Sequence, residues 1–184
     1  EDYAANRNID KGRDAPANVS VLSPFLRHRL ISEHEVAAAA IDAHGLEGAS
    51  KFLQEVCWRT YFKGWLEHRP DVWTLYGEAR DRDFSSLEKD GPMRRRYEQA
   101  IAGEAGIEGF DDWARELADT GYLHNHARMS FASIWIFTLG LPWSLGAPCG
   151  PALASLEQHA ATRRRRRALS NAHVHHLIIM LLHL

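Results

Sequence analysis

The sequence predicts an all-α fold, and three observations lead there. No stretch of useful length alternates apolar and polar residues with the period of two that a half-buried strand requires. Several segments instead open with recognisable helix-capping chemistry and close on Gly or Pro. Between those signals, apolar side chains recur three and four residues apart, the spacing that places them on one face of a helix.

The elements follow in order. Residues 1–18 are rich in Asn, Asp, Gly and Pro and hold no period, so they read as an irregular lead-in. In NVSVLSPFLRHRLIS, Ser23 as N-cap and Pro24 at the first helical position predict a helix start. In SEHEVAAAAIDAHG, Ser32 and Glu35 form a capping box, the alanines favour helix, and Gly45 stops it. The next segment carries Phe52, Val56, Phe62 and Trp65 and ends at Pro70. Asp71 to Gly91 is loosely patterned and reads as a mobile connection. Pro92 opens a further helix, and FDDWARELADTG is amphipathic, with Phe110, Trp113 and Leu117 on one side. Residues 122–139 form an apolar helix closed by Pro142. There is no internal repeat.

Length and charge bound the function. A chain of 184 residues suits one compact domain, here 1–146, followed by a divergent basic and His-rich tail at 147–184 containing Arg163–Arg167. A net charge of −2 gives no global basic field, so nucleic acid must be held by a local patch. Cys57 and Cys149 lie far apart and read as reduced thiols. The acidic, polar opening is not a signal peptide, and HHLIIMLLHL is too short to span a bilayer, so the expectation is a cytoplasmic protein without membrane attachment. Glu1 is not an initiator, which leaves room for a preceding segment.

Two polar stripes on apolar helices carry the chemistry. Glu55 and Arg59 are four apart among Phe52, Trp58 and Phe62. One reading is a surface ion pair; the other is a planar ligand stacked on aromatics, with Arg59 as a fork for phosphate and Glu55 as acceptor for ring N–H groups. In GYLHNHARM, Asn125, Arg128, Met129 and Ala132 share one helical stripe flanked by His124 and His126. Simple capping would account for it, and so would a buried ligand with polar edges. Two histidines at i and i+2 point to different faces, which argues against a metal. Ser20 and Ser23, beside the helix opening at Pro24, offer hydroxyls and backbone N–H groups to an anion.

Taken together, NVSVLSPFLRHRLIS, FLQEVCWRTYFKGW and GIEGFDDWARELADTGYLHNHARMSFASIWIFTLGLPW resemble, in order and spacing, the helical FAD-binding domain of the DNA photolyase/cryptochrome family, from about Tyr3 to Gly146. The resemblance implies FAD as cofactor and damaged DNA carrying pyrimidine dimers as partner. Val19-Ser20-Val21-Leu22-Ser23 matches the Thr-Ser-x-Leu-Ser loop that touches the diphosphate, with Val in place of Thr. Phe52 stands where an aromatic flanks the flavin, and Arg59, Asn125 and Arg128 match flavin-pocket positions. Glu55, Trp58 and Met129 match positions that meet the flipped dimer, and Trp143 matches the middle tryptophan of the electron-transfer chain.

The departures from the family pattern are equally specific. The segment resembling D-G-D-x-A-x-N and its W-x-W are not found, which leaves the helical domain incomplete. The α/β antenna domain is absent too, so no antenna chromophore is expected. Three functions follow as alternatives: a light-driven repair enzyme, a cryptochrome-like blue-light sensor, or a non-catalytic helical fragment without flavin.

Overall fold

The computed structural model describes residues 3–12, 15 and 18–146. The 147–184 tail, with Arg163–Arg167 and Cys149, lies outside the described residues. Among the described residues there is no strand, and every regular element is helical. They divide into two compact units, one ending at His68 and one starting at Arg69.

The first unit holds α1 (Tyr3–Asn6), α2 (Ser23–Arg27) and α3 (Glu33–Glu67). Ser32 and Glu35 close the capping box as expected: the Glu35 backbone N–H donates to Ser32 Oγ at 3.2 Å, and the Ser32 N–H donates to Glu35 Oε2 at 2.8 Å. Gly45 interrupts α3 with φ 69° and ψ 166°, a conformation that non-glycine residues rarely adopt. The first helical arm thus stops at Gly45 as expected, and a second arm follows directly from it as a hairpin. Glu33 and Arg59 sit on opposite arms, each arm about 20 Å long at 1.5 Å per residue, yet their side chains meet at 3.5 Å. The arms must therefore fold back on each other at an acute angle. α1 lies against the second arm, with the Tyr3 ring edge-on to Phe52 at 5.6 Å. The Asn18 amide ties the lead-in down by donating to the carbonyls of Asn6 and Ile9.

At α2 the expected start shifts by one residue. The helix begins at Ser23 with Leu22 as N-cap, and no side chain caps it. Ser23 is thus inside the first turn, where its hydroxyl is not committed to the N-cap role.

The second unit holds α4 (Asp71–Lys89), α5 (Gly91–Ala102), α6 (Phe110–Thr120), α7 (Asn125–Ser133) and α8 (Trp143–Gly146). α4 corrects the reading of 71–91 as a mobile connection. Val72, Tyr76, Ala79 and Leu87 are all buried and share a helical face. The small Ala79 and the charged run around it hid the pattern. The Asp90 side chain then caps α5, accepting from the Met93 N–H at 2.9 Å.

The core of this unit is an aromatic stack. Phe110 and Phe131 lie 4.5 Å apart and nearly parallel, and Phe131 continues to Trp135 at 5.9 Å. Around them pack Leu123, Leu141, Leu145 and the small Ala100, Ala114 and Ala127. The apolar helix predicted over 122–139 starts at Asn125 and does not stay α-helical. It passes into a π-turn at Ile134–Thr138, where the Leu139 N–H donates five residues back to the Ile134 carbonyl at 2.9 Å. The turn aims Trp135 inward, and its indole N–H donates to the Pro142 carbonyl at 2.9 Å. Gly146 packs so closely that a Cβ there would come within 3.0 Å of that indole.

Candidate functional site

The second arm of α3 carries the first polar stripe. Glu55 and Arg59, for which an ion pair between them is one reading of the sequence, each face other partners. Glu55 accepts Arg7 at 3.0 Å and Lys51 at 3.3 Å, while Arg59 meets Glu33 at 3.5 Å and Lys63 meets the same carboxylate at 3.7 Å. Glu33 is held below the usual carboxylate range, first by its own backbone N–H at the helix start, then by Lys63 and Arg59. Arg59 is 10% exposed at its side chain, and burial pulls its guanidinium below its ordinary range, with Glu33 opposing. Arg27 on α2 is lowered by burial and by the neighbouring Arg59 charge. Two arginines, a lysine and one carboxylate therefore converge where α2 meets the hairpin.

On the same arm, Phe52 is half-buried under Tyr3, whereas Trp58 is 53% exposed and rests on Phe62. Cys57 is an exposed free thiol. The loop before α2 holds Ser20, exposed, and Val21 at φ 52°. A β-branched residue in the left-handed region costs of order 1–3 kcal/mol, strain of a kind that clusters at ligand-binding loops. Leu22 and Ser23 are half-buried beside it.

α7 carries the second stripe. His124 is buried and caps the helix, its Nδ1 accepting from the His126 N–H at 3.3 Å. Asn125 opens the helix and Arg128 follows one turn later. Both present polar atoms with no ordinary account: Asn125 Oδ1 and Arg128 Nε are buried and have no hydrogen-bond partner among the described residues. Burial holds the Arg128 guanidinium below its usual range, with Tyr122 opposing. Such orphans are rare, because each costs about 1–3 kcal/mol when unpaired. Met129 is 38% exposed on this helix. Trp143, at the start of α8, is half-buried and tilted against Tyr76 at 5.6 Å. The buried Ser144 hydroxyl donates to Asp83 and anchors α8 to α4.

The expected residues thus fall into two groups. Ser20, Val21, Leu22, Ser23, Phe52, Glu55, Trp58 and Arg59 belong to the first unit, and Asn125, Arg128, Met129 and Trp143 to the second. Sequence reasoning missed Arg7, Arg27, Glu33 and Lys51, which partner or neighbour the site residues. Lys51 alone had a local signal, four residues before Glu55.

Each unit by itself offers donors that suit part of a flavin dinucleotide. In the second unit an amide oxygen and a guanidinium N–H, both buried and without a hydrogen-bond partner among the described residues, suit the alternating donors and acceptors along a flavin ring edge. In the first unit the hydroxyls of the strained Ser20–Ser23 loop suit a diphosphate. Among the described residues no helix is long and apolar enough to cross a membrane.

The comparisons with known proteins point to the same cofactor. Residues 52–149 match the sequence profile of the FAD binding domain of DNA photolyase, a span that includes every expected site residue except those of the Ser20–Ser23 loop. Deoxyribodipyrimidine photo-lyase of Streptomyces griseus is 33% identical over 132 residues, 70% of this chain and 27% of that protein. A Thermus thermophilus enzyme of the same name is 35% identical over 124 residues, 67% of this chain and 28% of that protein. Cryptochrome DASH of Natronomonas pharaonis is 29% identical over 152 residues, covering 79% and 30% respectively. The chain therefore spans under a third of the length of these curated relatives. No solved structure matches it. From the profile match and the buried donors that suit its cofactor, the chain belongs to the DNA photolyase/cryptochrome family and carries that family's FAD-binding domain.

Proposed function

We propose that this chain acts in light-driven repair of cyclobutane pyrimidine dimers in DNA, by electron transfer from the reduced flavin of FAD. The observation that carries the reading is the orphaned pair on α7: Asn125 Oδ1 and Arg128 Nε are buried, one turn apart and without a hydrogen-bond partner among the described residues. A site that holds polar atoms in this state is preorganised for a ligand that completes them. Residues 1–146 serve as the FAD-binding domain.

FAD, when bound and reduced, supplies a light-excited donor whose electron opens the cyclobutane ring and then returns, leaving no net oxidation. The protein's part is to bind, orient and exclude water. Asn125 accepts from the ring edge and Arg128 donates to it, while Arg59 adds a fork of donors and Phe52 flanks the ring. Ser20, Val21, Leu22 and Ser23 present hydroxyls and backbone N–H groups to the diphosphate. Trp58 stacks on the dimer once it has left the duplex, a departure made easier by its poor pairing. Glu55 accepts base N–H groups, Met129 packs against the lesion, and Trp143 would pass an electron from an external one-electron reductant toward an oxidised flavin.

The test pairs flavin content with lesion preference. Purified protein should be yellow or become so with added FAD, and should bind a dimer-containing oligonucleotide in preference to the intact one. Glu55→Ala should erode that preference about 10-fold, since it deletes a charged acceptor. Protein that stays colourless in FAD and binds both oligonucleotides equally would refute the proposal. A blue-light sensor is the second reading, favoured by the Natronomonas pharaonis cryptochrome relative; it requires flavin binding without any lesion preference.

A further inference from the structure

We propose that Tyr61 is a second base-stacking residue beside Trp58, so that α3 presents an aromatic corner to the planar rings of an unstacked, dimer-containing stretch of DNA. This inference rests on the repair reading above and deepens it.

The geometry comes from three rings within little more than one turn of α3. Phe62 stacks on Trp58 at 5.6 Å with 22° between planes, and Tyr61 stands almost perpendicular to the indole at 5.7 Å and 87°. Tyr61 and Phe62 are themselves 5.5 Å apart. Three nearly equal separations form a closed triangle, so the three rings make one cluster. The cluster leaves about half of the indole open. Trp58 is accordingly 53% exposed and Tyr61 58% exposed, although both are large rings. Phe62 braces the shelf from behind, and Tyr61 forms its wall.

Helix stabilisation alone does not require this arrangement. An i,i+4 aromatic pair such as Trp58–Phe62 contributes about 0.2–0.5 kcal/mol and needs no third ring left open to solvent. The surroundings say what the corner suits. The neighbouring exposed positions are polar, with Lys51 donating to Gln54 at 3.1 Å, so an apolar peptide would find little to bury. One turn before Trp58, Arg7 and Lys51 flank the Glu55 carboxylate. Aromatic faces beside cations and a hydrogen-bond acceptor match a nucleotide: rings stack on the aromatics, phosphate meets the cations, and base N–H groups meet the carboxylate. Every base offers a π-face, so such a corner is tolerant of sequence. The indole face takes one ring of the dimer or its neighbour, and the tyrosine ring meets its edge.

The experiment measures fluorescence anisotropy of a labelled single-stranded oligonucleotide carrying one thymine dimer, against the same oligonucleotide undamaged. The native chain is compared with Tyr61→Leu, Tyr61→Phe and Trp58→Leu, and flavin content is read by absorbance as a check on the cofactor site. Tyr61→Leu should weaken dimer binding roughly 5- to 150-fold, the range found for removing one stacking ring. Tyr61→Phe should bind as the native chain does, and flavin content should be the same in all four. If Tyr61→Leu binds like the native chain while Trp58→Leu is weakened, the second stacking contact is refuted and the repair reading stands. If Tyr61→Phe loses as much as Tyr61→Leu, the hydroxyl acts rather than the ring, and the stacking role is overturned. If neither Trp58→Leu nor Tyr61→Leu alters binding, the lesion site is not on this face and both readings fall.

Discussion

Replacing Arg128 by Met separates a residue kept for its ligand from one kept for the fold. In most proteins, removing one partner of a buried ion pair costs about 3–5 kcal/mol, because the other charge is left uncompensated. Arg128 offers the reverse case. Its Nε is buried without a hydrogen-bond partner among the described residues, and burial holds its guanidinium below the ordinary arginine range. An unmade hydrogen bond of that kind costs the fold about 1–3 kcal/mol, and Met retains most of the aliphatic stem at nearly equal helix propensity. The flavin-free Arg128→Met protein should therefore be as stable as the native chain or more stable by about 1 kcal/mol. Cofactor binding should move the other way. Losing one charge-assisted hydrogen bond of about 1.5–3 kcal/mol should weaken FAD roughly 10- to 150-fold. Urea unfolding of the apoprotein gives the first quantity, and FAD titration followed by flavin fluorescence gives the second. An apoprotein destabilised by more than about 1 kcal/mol, with FAD affinity intact, would show that Arg128 braces the fold and would refute the reasoning.

Two further outcomes follow from other parts of the structure. Gly103 caps α5 at φ 69°, and a Cβ there would lie 2.7 Å from the Asp111 carbonyl oxygen, a backbone atom that cannot swing away. Gly103→Ala should cost about 2–4 kcal/mol from left-handed strain plus overpacking, seen as a lowered urea midpoint. The capping box predicts a pH effect. The Ser32 hydroxyl and then the Ser32 N–H hold Glu35 below its usual 4.5, so its contribution is complete above that pH and is lost as pH falls through the lower folded value. Unfolding followed from about pH 6 to about pH 3 should show a steeper loss for the native chain than for Glu35→Gln, and equal slopes would count against the box.

What the sequence by itself determined is local. Ser32 and Glu35 are three residues apart, and their reciprocal bonds form within one helical turn whatever the rest of the chain does. The α6 face of Phe110, Trp113 and Leu117 was legible for the same reason, because helical period is a property of neighbours. The site residues were legible as types, an amide and a guanidinium where a buried helix has no use for them. Their partners were not. Arg7 with Glu55, Glu33 with Arg59, and Ser144 with Asp83 join residues 48, 26 and 61 positions apart. Each depends on where a chain reversal, such as the one at Gly45, returns the helix. α4 was hidden because its burial is decided by what packs on Ala79 as much as by large side chains. The π-turn that aims Trp135 at the Pro142 carbonyl had no sequence signal either. Hydrogen bonds within a turn are written in spacing, whereas ion pairs across a hairpin and orphaned atoms in a core are set by three-dimensional closure. Which charges Glu55 and Arg59 face, and which polar atoms of Asn125 and Arg128 lack a partner among the described residues, are therefore settled by tertiary closure alone.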